Sequence, residues 1–215
     1  MPRSKTNVLL AEGLDDTHVL IHLCRHFEFP EYTFHCESTD GYQALRHDIQ
    51  AYILGSETQR IGLIFDANQS PRDRWQSITS RLRELGYGSM PDVPQAEGTV
   101  IPPDGTPTGR PALGLWMWPD NIGAGILEDF ASEMVRQTDP LWALAREAVD
   151  AIPQDRRKFK PLYLSKAYVH TWLAWQEEPG SRMGQAVTNR YFDADVPIAQ
   201  SLKQWLNRLL AQSTQ

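Results

Sequence analysis

The feature that most constrains this chain is a short apolar run, Val8-Leu9-Leu10-Ala11, that stops at Glu12-Gly13-Leu14-Asp15-Asp16. After it, Val19, Leu20, Leu23 and Phe27 recur at helical spacing. A continuous apolar run closed by a glycine reads as a buried strand, and the spacing beyond it reads as a helix capped by Asp15 or Asp16 with Thr17. Strand, tight turn and helix in that order leave Glu12 at a strand's carboxyl end. In open α/β sheets that is the edge where ligands bind. A carboxylate there, with another one turn onward, can share a divalent cation through oxygen ligands.

A second apolar run repeats the arrangement. Ile61-Gly62-Leu63-Ile64-Phe65 ends in Asp66-Ala67-Asn68, which puts two oxygen-bearing side chains on one face of an extended backbone. A third run, residues 112–118, alternates Leu113, Leu115 and Met117 with Gly114, Trp116 and Trp118, the period of a strand. It ends in Pro119-Asp120-Asn121-Ile122-Gly123, and Leu127, Phe130, Met134 and Val135 mark a helix beyond. Asp120, Glu128 and Asp129 are therefore candidate ligands from this edge. Their alternative roles are turn formation for Asp120 and a favourable place in the helix macrodipole for Glu128 and Asp129.

These residues resemble a known family. EGxxD after the first strand (Glu12, Gly13, Asp16) and a DxD-like motif after a later one (Asp66, Asn68) are similar to the Toprim domain of topoisomerases, primases and overcoming-lysogenization-defect nucleases. The stretch from Trp118-Pro119-Asp120-Asn121 through Gly125-Ile126-Leu127-Glu128-Asp129-Phe130, with Lys166-Ala167 beyond, resembles an uncharacterised bacterial Toprim-like family more closely. The likeness covers most of the chain. One departure stands out: the second Asp of the DxD is Asn68, which keeps an oxygen and drops a charge.

The resemblance implies an α/β, Toprim-like fold and a Mg2+ (or Mn2+)-dependent phosphoryl-transfer enzyme, a nuclease cleaving phosphodiesters. Glu12 would be metal ligand or general base, Asp66 the central ligand and Asn68 a neutral ligand. Asp16 and Glu128 would complete the cluster, and Lys166 would steady charge developing on the phosphate. Gly41, in a turn after the second strand, matches a glycine near the phosphate path of such domains, and a plain helix-entry turn explains it equally well. The rival readings are a non-catalytic Toprim-like module that binds a nucleotide, nucleic acid or a partner protein, and a structural subunit of a larger assembly. Asn68 favours the first of these rivals.

The architecture expected is a mainly parallel central sheet of about four strands flanked by helices. The second strand is read over residues 32–36 and its helix from Tyr42 to a stop at Gly55; Ser70 and Pro71 open a third helix that closes on Gly86. Residues 88–110, rich in Pro, Gly and Asp, read as a hairpin excursion around Thr99-Val100-Ile101 and the turn Pro103-Asp104-Gly105. Helices over 140–152, 161–176 and 197–211 form a C-terminal helical region that covers a sheet face. With 215 residues, 41% of them hydrophobic, the chain is expected to form one domain, 1–215, with a core of about 6–136 and the helical region at about 139–215.

Charge limits the partners. A net charge of -6 gives no global electrostatic footprint for nucleic acid, so such binding needs a local basic surface or bridging metal ions. Arg72, Arg74, Arg81 and Arg83 share a helix with Asp73 and Glu84 and read first as a solvated face. The run Gln154-Asp155-Arg156-Arg157-Lys158-Phe159-Lys160 is the most basic in the chain and leads into the helix bearing Lys166. Trp172, Leu173, Trp175 and Trp205 read as core rather than as a base-stacking platform. His18, His22 and His26 lie one turn apart without an HExxH pattern and read as partly exposed surface. Cys24 and Cys36 fit small buried residues better than a disulfide. No apolar stretch approaches the roughly 20 residues that span a bilayer, and the N-terminus runs straight into a strand, so a cytoplasmic protein with no membrane partner is expected.

Overall fold

The computed structural model describes residues 6–55, 57–103 and 109–211. Among these the chain is α/β: a five-stranded, mostly parallel sheet flanked by eight α-helices. It runs β1 (Thr6–Ala11), α1 (Leu14–His26), β2 (His35–Ser38), α2 (Tyr42–Leu54), β3 (Thr58–Asp66), α3 (Pro71–Glu84), β4 (Thr99–Ile101) and β5 (Ala112–Trp118). Then follow α4 (Leu127–Glu133), α5 (Pro140–Asp150), α6 (Leu164–Leu173), α7 (Met183–Thr188) and α8 (Pro197–Ala211). The spatial order is β2-β1-β3-β5-β4, parallel except that β4 pairs antiparallel with β5. The excursion thus returns as the hairpin expected, while its turn at Asp104-Gly105, like residues 1–5, lies outside the described residues.

The order of the strands makes β1 and β3 neighbours although the chain visits β2 between them. From β1 it crosses one way to β2, and from β2 it crosses back over β1 to β3. Right-handed crossovers in opposite directions place their helices on opposite faces of a sheet. Accordingly α1 packs with Leu9, Ala11 and Ile64 on one face, while α2 and α3 pack with Leu10, Leu63 and Phe65 on the other. The carboxyl ends of β1 and β3 therefore form a topological switch point, the crevice in which open α/β sheets bind ligands.

The apolar runs are continuous because both faces are covered. All seven residues of β5 are buried, and the C-terminal helices close the face on which α1 lies. Gly62 and Gly114 pair in register on β3 and β5, and together they open the space that α8 fills. A Cβ at Gly114 would stand 2.8 Å from Trp205 Cζ2 and 3.0 Å from Leu209 Cδ2. Trp205 is fully buried and its Nε1–H donates to Thr99 O at 3.1 Å.

Three local readings change. The second strand is His35–Ser38 rather than residues 32–36, because Tyr32 takes φ 64° and Thr33 N–H bonds Pro30 O, a turn that delays the extended backbone. Neither Asp15 nor Asp16 caps α1; Gly13 is the N-cap residue, and the Thr17 hydroxyl donates to its carbonyl at 3.1 Å. The helix read over 161–176 begins as a 3-10 turn, Pro161–Tyr163, before α6. The six-residue α7 carries no period long enough to read, and it packs against α1: a Cβ at Gly184 would stand 2.8 Å from His18 O. Ser70 and Pro71 do open α3, the Ser70 hydroxyl accepting from Asp73 N–H at 3.3 Å. No described helix is long and apolar enough to cross a membrane.

Candidate functional site

Four carboxylates meet at the switch point. Glu12 immediately follows β1, and its N–H donates to Ile64 O at 3.0 Å, continuing the ladder with β3. Its Oε2 accepts from Asp66 N–H at 3.2 Å, so Glu12 and the last residue of β3 lie side by side on the same edge. Asp16 sits in the first turn of α1, buried, with Oδ1 accepting from Trp118 Nε1–H at 2.7 Å across 102 residues of sequence. Asp66 Oδ1 accepts from Leu127 N–H at 3.0 Å, which ties the end of β3 to the start of α4. Glu128, the second residue of α4, is 3% exposed. Gly13 belongs to this geometry: a Cβ there would stand 2.9 Å from Asp16 Oδ2.

Burial and mutual repulsion dominate the electrostatics. Burial pushes the Asp66 carboxyl up to about 8, and the charges of Asp16, Glu12 and Glu128 add to it. Asp16 is pushed up to about 7, again by burial first, with Trp118 Nε1–H pulling it back and Glu12 and Glu128 raising it. Glu12 stays above the ordinary carboxylate value because burial outweighs the nearby Arg74 guanidinium and the Asp66 N–H. Burial alone would raise Glu128 too. The imidazole of His170 nearby and the Lys166 ammonium against its carboxylate outweigh it and hold Glu128 below its ordinary value.

Two cations serve four acids. Lys166 Nζ on α6 lies 2.7 Å from Glu128 Oε1, and His170, one turn on, has Nε2 3.8 Å from the same oxygen. The ammonium, raised by Glu128 against its own burial, also feels Asp15 and Asp66. Arg74 Nη2, in the first turn of α3, lies 3.6 Å from Glu12 Oε1. Asp16 and Asp66 form no ion pair with a described residue; their partners are the neutral donors Trp118 and Leu127.

Asn68 is built differently from the carboxylates. It takes φ 53° and exchanges two backbone hydrogen bonds with Gly125, at 2.7 and 2.9 Å. Its amide is oriented with the oxygen toward Arg74, since the opposite orientation would set NH2 against guanidinium; Oδ1 then accepts from Arg74 Nε at 3.2 Å and from Nη2. The Arg74 guanidinium also stacks 3.9 Å over the Tyr42 ring.

The remaining candidates fall elsewhere. Asp120 Oδ1 accepts from Ile122 and Gly123 N–H, a turn former, and Asp129 Oδ2 accepts from Ile126 N–H at the start of α4. Gly41 takes φ 86° at the entry to α2 and its N–H bonds Glu12 O at 3.0 Å. Among the histidines of α1, His22 Nδ1 meets Thr188 Oγ1 of α7 at 2.6 Å and His26 faces Asp195. Trp172, Leu173 and Trp205 are core, whereas Trp175 is exposed. In the basic run, Arg157 is bound to Ile152 O and Asp150 O, and Arg156, Lys158 and Lys160 are exposed just ahead of α6. Burial pushes the free thiols of Cys24 and Cys36 up to about 12 and about 11.

Arg74 and His170 were hidden in the sequence. Arg74 looked like its neighbours on a solvated face, yet Arg81 turns to Glu84 and Gln50 and Arg83 to Met90 O and Asp92, and only Arg74 of that row meets a site carboxylate. The i, i+4 spacing of Lys166 and His170 was the one available signal for His170.

The donor set suits a hard divalent cation: carboxylate oxygens, buried in Asp16 and Glu128 and half-buried in Glu12 and Asp66, with two of the four lacking a positive partner. Among the described residues no group of three or more His, Cys, Asp or Glu is arranged to hold a metal ion as it stands. Each carboxylate instead turns to a protein donor, and ligation requires those side chains to re-aim. Neither a curated protein nor a solved structure matches the chain. A family described as a protein of unknown function, DUF3226, matches residues 6–211.

Proposed function

This chain belongs to the DUF3226 family, and we propose that it is a Mg2+- or Mn2+-dependent nuclease that cleaves phosphodiesters at the switch-point carboxylates. One observation carries the reading. Glu12, Asp16, Asp66 and Glu128, which follow three neighbouring strand ends, share one crevice, and two of the four have no cationic partner among the described residues. The likeness of EGxxD and the DxD-like motif to Toprim nucleases supports the same chemistry.

In this reading Asp16, Asp66 and Glu128, beside Glu12, would hold the ion, which would supply counter-charge to the leaving oxygen and an activated water. As the general base, Glu12 keeps 18% side-chain exposure, and burial holds its carboxyl above the ordinary carboxylate value, which makes it a better proton acceptor than a solvated glutamate. Lys166 keeps a fixed positive charge at Glu128, within the electrostatic reach of Asp66, and steadies charge that develops on the phosphate in the transition state. Arg156, Lys158 and Lys160, ahead of α6, offer a local basic surface to a nucleic-acid backbone on a protein of net charge -6.

The test is a cleavage screen on single- and double-stranded DNA and RNA with Mg2+ and Mn2+, beside Glu12→Ala. The reading requires EDTA-sensitive cleavage that falls on the order of a hundredfold or more in Glu12→Ala. Absence of cleavage from every substrate by a folded, metal-binding protein refutes the enzyme. The second reading, a non-catalytic module that binds a nucleotide, nucleic acid or a partner protein, is favoured by the Asn68 amide, which is engaged by Arg74. It predicts binding without turnover.

A further inference from the structure

We propose that a cleft between α4, α5 and α6 binds one unpaired, amino-bearing nucleobase of a single-stranded nucleic acid; the inference rests on the nuclease reading above for the polymer and names the strand it takes. The cleft has a volume of about 510 Å3, within the range of small-ligand sites. Its lining mixes two chemistries. Asp129 and Glu133 of α4, with Gln137 just after it, are acceptors, whereas Leu162, Tyr168 and the α5 residue Trp142 are flat or apolar. Ser165, which also lines the cleft, is 9% exposed, and its buried Oγ completes no hydrogen bond among the described residues although it stands near the Asp129 carboxyl. Buried hydroxyls ordinarily find partners, and a polar ligand edge supplies one here.

The aromatic wall is set before any ligand arrives. Tyr168 O–H donates to Asp150 Oδ1 at 2.7 Å, and Trp142 meets Tyr168 edge-on at 6.3 Å and Trp172 at 6.2 Å. A planar ring laid against side chains already fixed in this way loses little rotamer freedom on binding. The acceptors then choose among rings. Carboxylates take hydrogen bonds from an exocyclic amino group such as cytosine N4 and oppose the O4 acceptor of thymine, and Asp129 and Glu133 repel a bare phosphate. Positive charge lies beside the cleft instead: Arg146, with Cζ 5.6 Å from the Tyr168 ring centroid, lines it, and the exposed Lys160 directly precedes its Pro161. A backbone held by these cations can lower one base into the cleft, whereas a base in a duplex keeps its edge paired and its faces stacked. Asp129 follows Glu128 and Ser165 precedes Lys166, so cleft and carboxylate crevice share α4 and α6, and a base seated in one places the strand beside the other.

The experiment is fluorescence anisotropy of fluorescein-labelled oligonucleotides with the full chain in EDTA, so that binding is read without metal or turnover. An all-dC hexanucleotide is expected to bind about tenfold more tightly than an abasic hexamer of the same backbone, and about threefold or more tighter than all-dT. A blunt hairpin duplex should bind no better than the abasic strand. Tyr168→Ala should bring the dC strand down to the abasic level, and the exposed pair Glu133→Ala with Gln137→Ala should bind dC and dT strands alike. Equal affinity of the natural chain for dC and abasic strands overturns the inference, as does a preference for dC that survives in the folded Glu133→Ala, Gln137→Ala variant. Because the natural chain alone reports the need for a base, failure of Tyr168→Ala to fold leaves the inference testable. Base-dependent binding without cleavage in Mn2+ overturns the nuclease reading and keeps the cleft; cleavage without base-dependent binding does the reverse.

Discussion

Asp66→Asn is expected to stabilise the metal-free protein at pH 8 and to leave it nearly unchanged at pH 4. Asp66 is pushed from 3.8 to about 8, by burial first and then by the charges of Asp16, Glu12 and Glu128. Between those values the folded chain retains a proton that the unfolded chain has released, so stability falls as pH rises through the window. At about 1.4 kcal/mol per pKa unit, the whole displacement amounts to roughly 5 to 6 kcal/mol at pH 8. Only part belongs to Asp66. Asp16, at about 7, shares the same crowding, and removing one charge relaxes the other, so about 2 kcal/mol is the working value. For a chain of this length that is a rise of roughly 4 to 8 °C in Tm. Asparagine keeps an oxygen to accept from Leu127 N–H, now at 3.0 Å, so the local geometry survives. The assay is thermal unfolding by circular dichroism in EDTA at both pH values. A lower Tm at pH 8, or the same shift at pH 4 and pH 8, would refute the argument from buried charge. Adding Mn2+ at pH 8 should reverse the ranking, since binding to the folded state stabilises the natural chain and not the variant.

Lys166→Met strips its 2.7 Å partner from Glu128, whose side chain is 4% exposed; chemical denaturation should show a loss of about 2 kcal/mol, below the full value for a buried pair because Lys166 is half-exposed. Lys166→Met with Glu128→Gln should recover most of that loss, and equal destabilisation in both variants would show that the ion pair is not its source. Gly114→Ala should lower stability by about 1 to 3 kcal/mol through overpacking, because the added Cβ meets Trp205 and Leu209 of α8. An unchanged melting curve would show that α8 is not seated on the glycine pair.

The sequence by itself determined the layers and the placement of the acids. Strands buried on both faces must be apolar throughout, so β1, β3 and β5 announce themselves, and an acid that ends such a run has to stand at the edge where the burial stops. That reasoning located Glu12 and Asp66 and brought Glu128 forward as a candidate. It could not rank Glu128 above Asp120 or Asp129 on spacing, because all three follow the same strand; only the folded chain shows Asp120 in a turn, Asp129 on Ile126 N–H and Glu128 buried against Lys166. The reading of Asp16 as a helix cap failed for a related reason. An aspartate in a first turn has a local use that sequence can supply, and its bond to Trp118, 102 residues away, is one that sequence cannot.

Tertiary structure alone decided how the charges are matched. Arg74 and its fellow arginines on α3 have the same local sequence context, and which one turns inward depends on where the first turn of α3 lands relative to the end of β1. Local pattern fixes which residues reach the edge of the sheet, since periodicity and burial act over a few neighbouring positions. Partnership between an acid and a cation depends on distances set by the crossing of whole elements, and the energy of a buried charge follows those distances. For this protein the sequence therefore specified that carboxylates gather at the switch point, and the fold specified that Glu12 and Glu128 are answered by Arg74 and Lys166 while Asp16 and Asp66 are not.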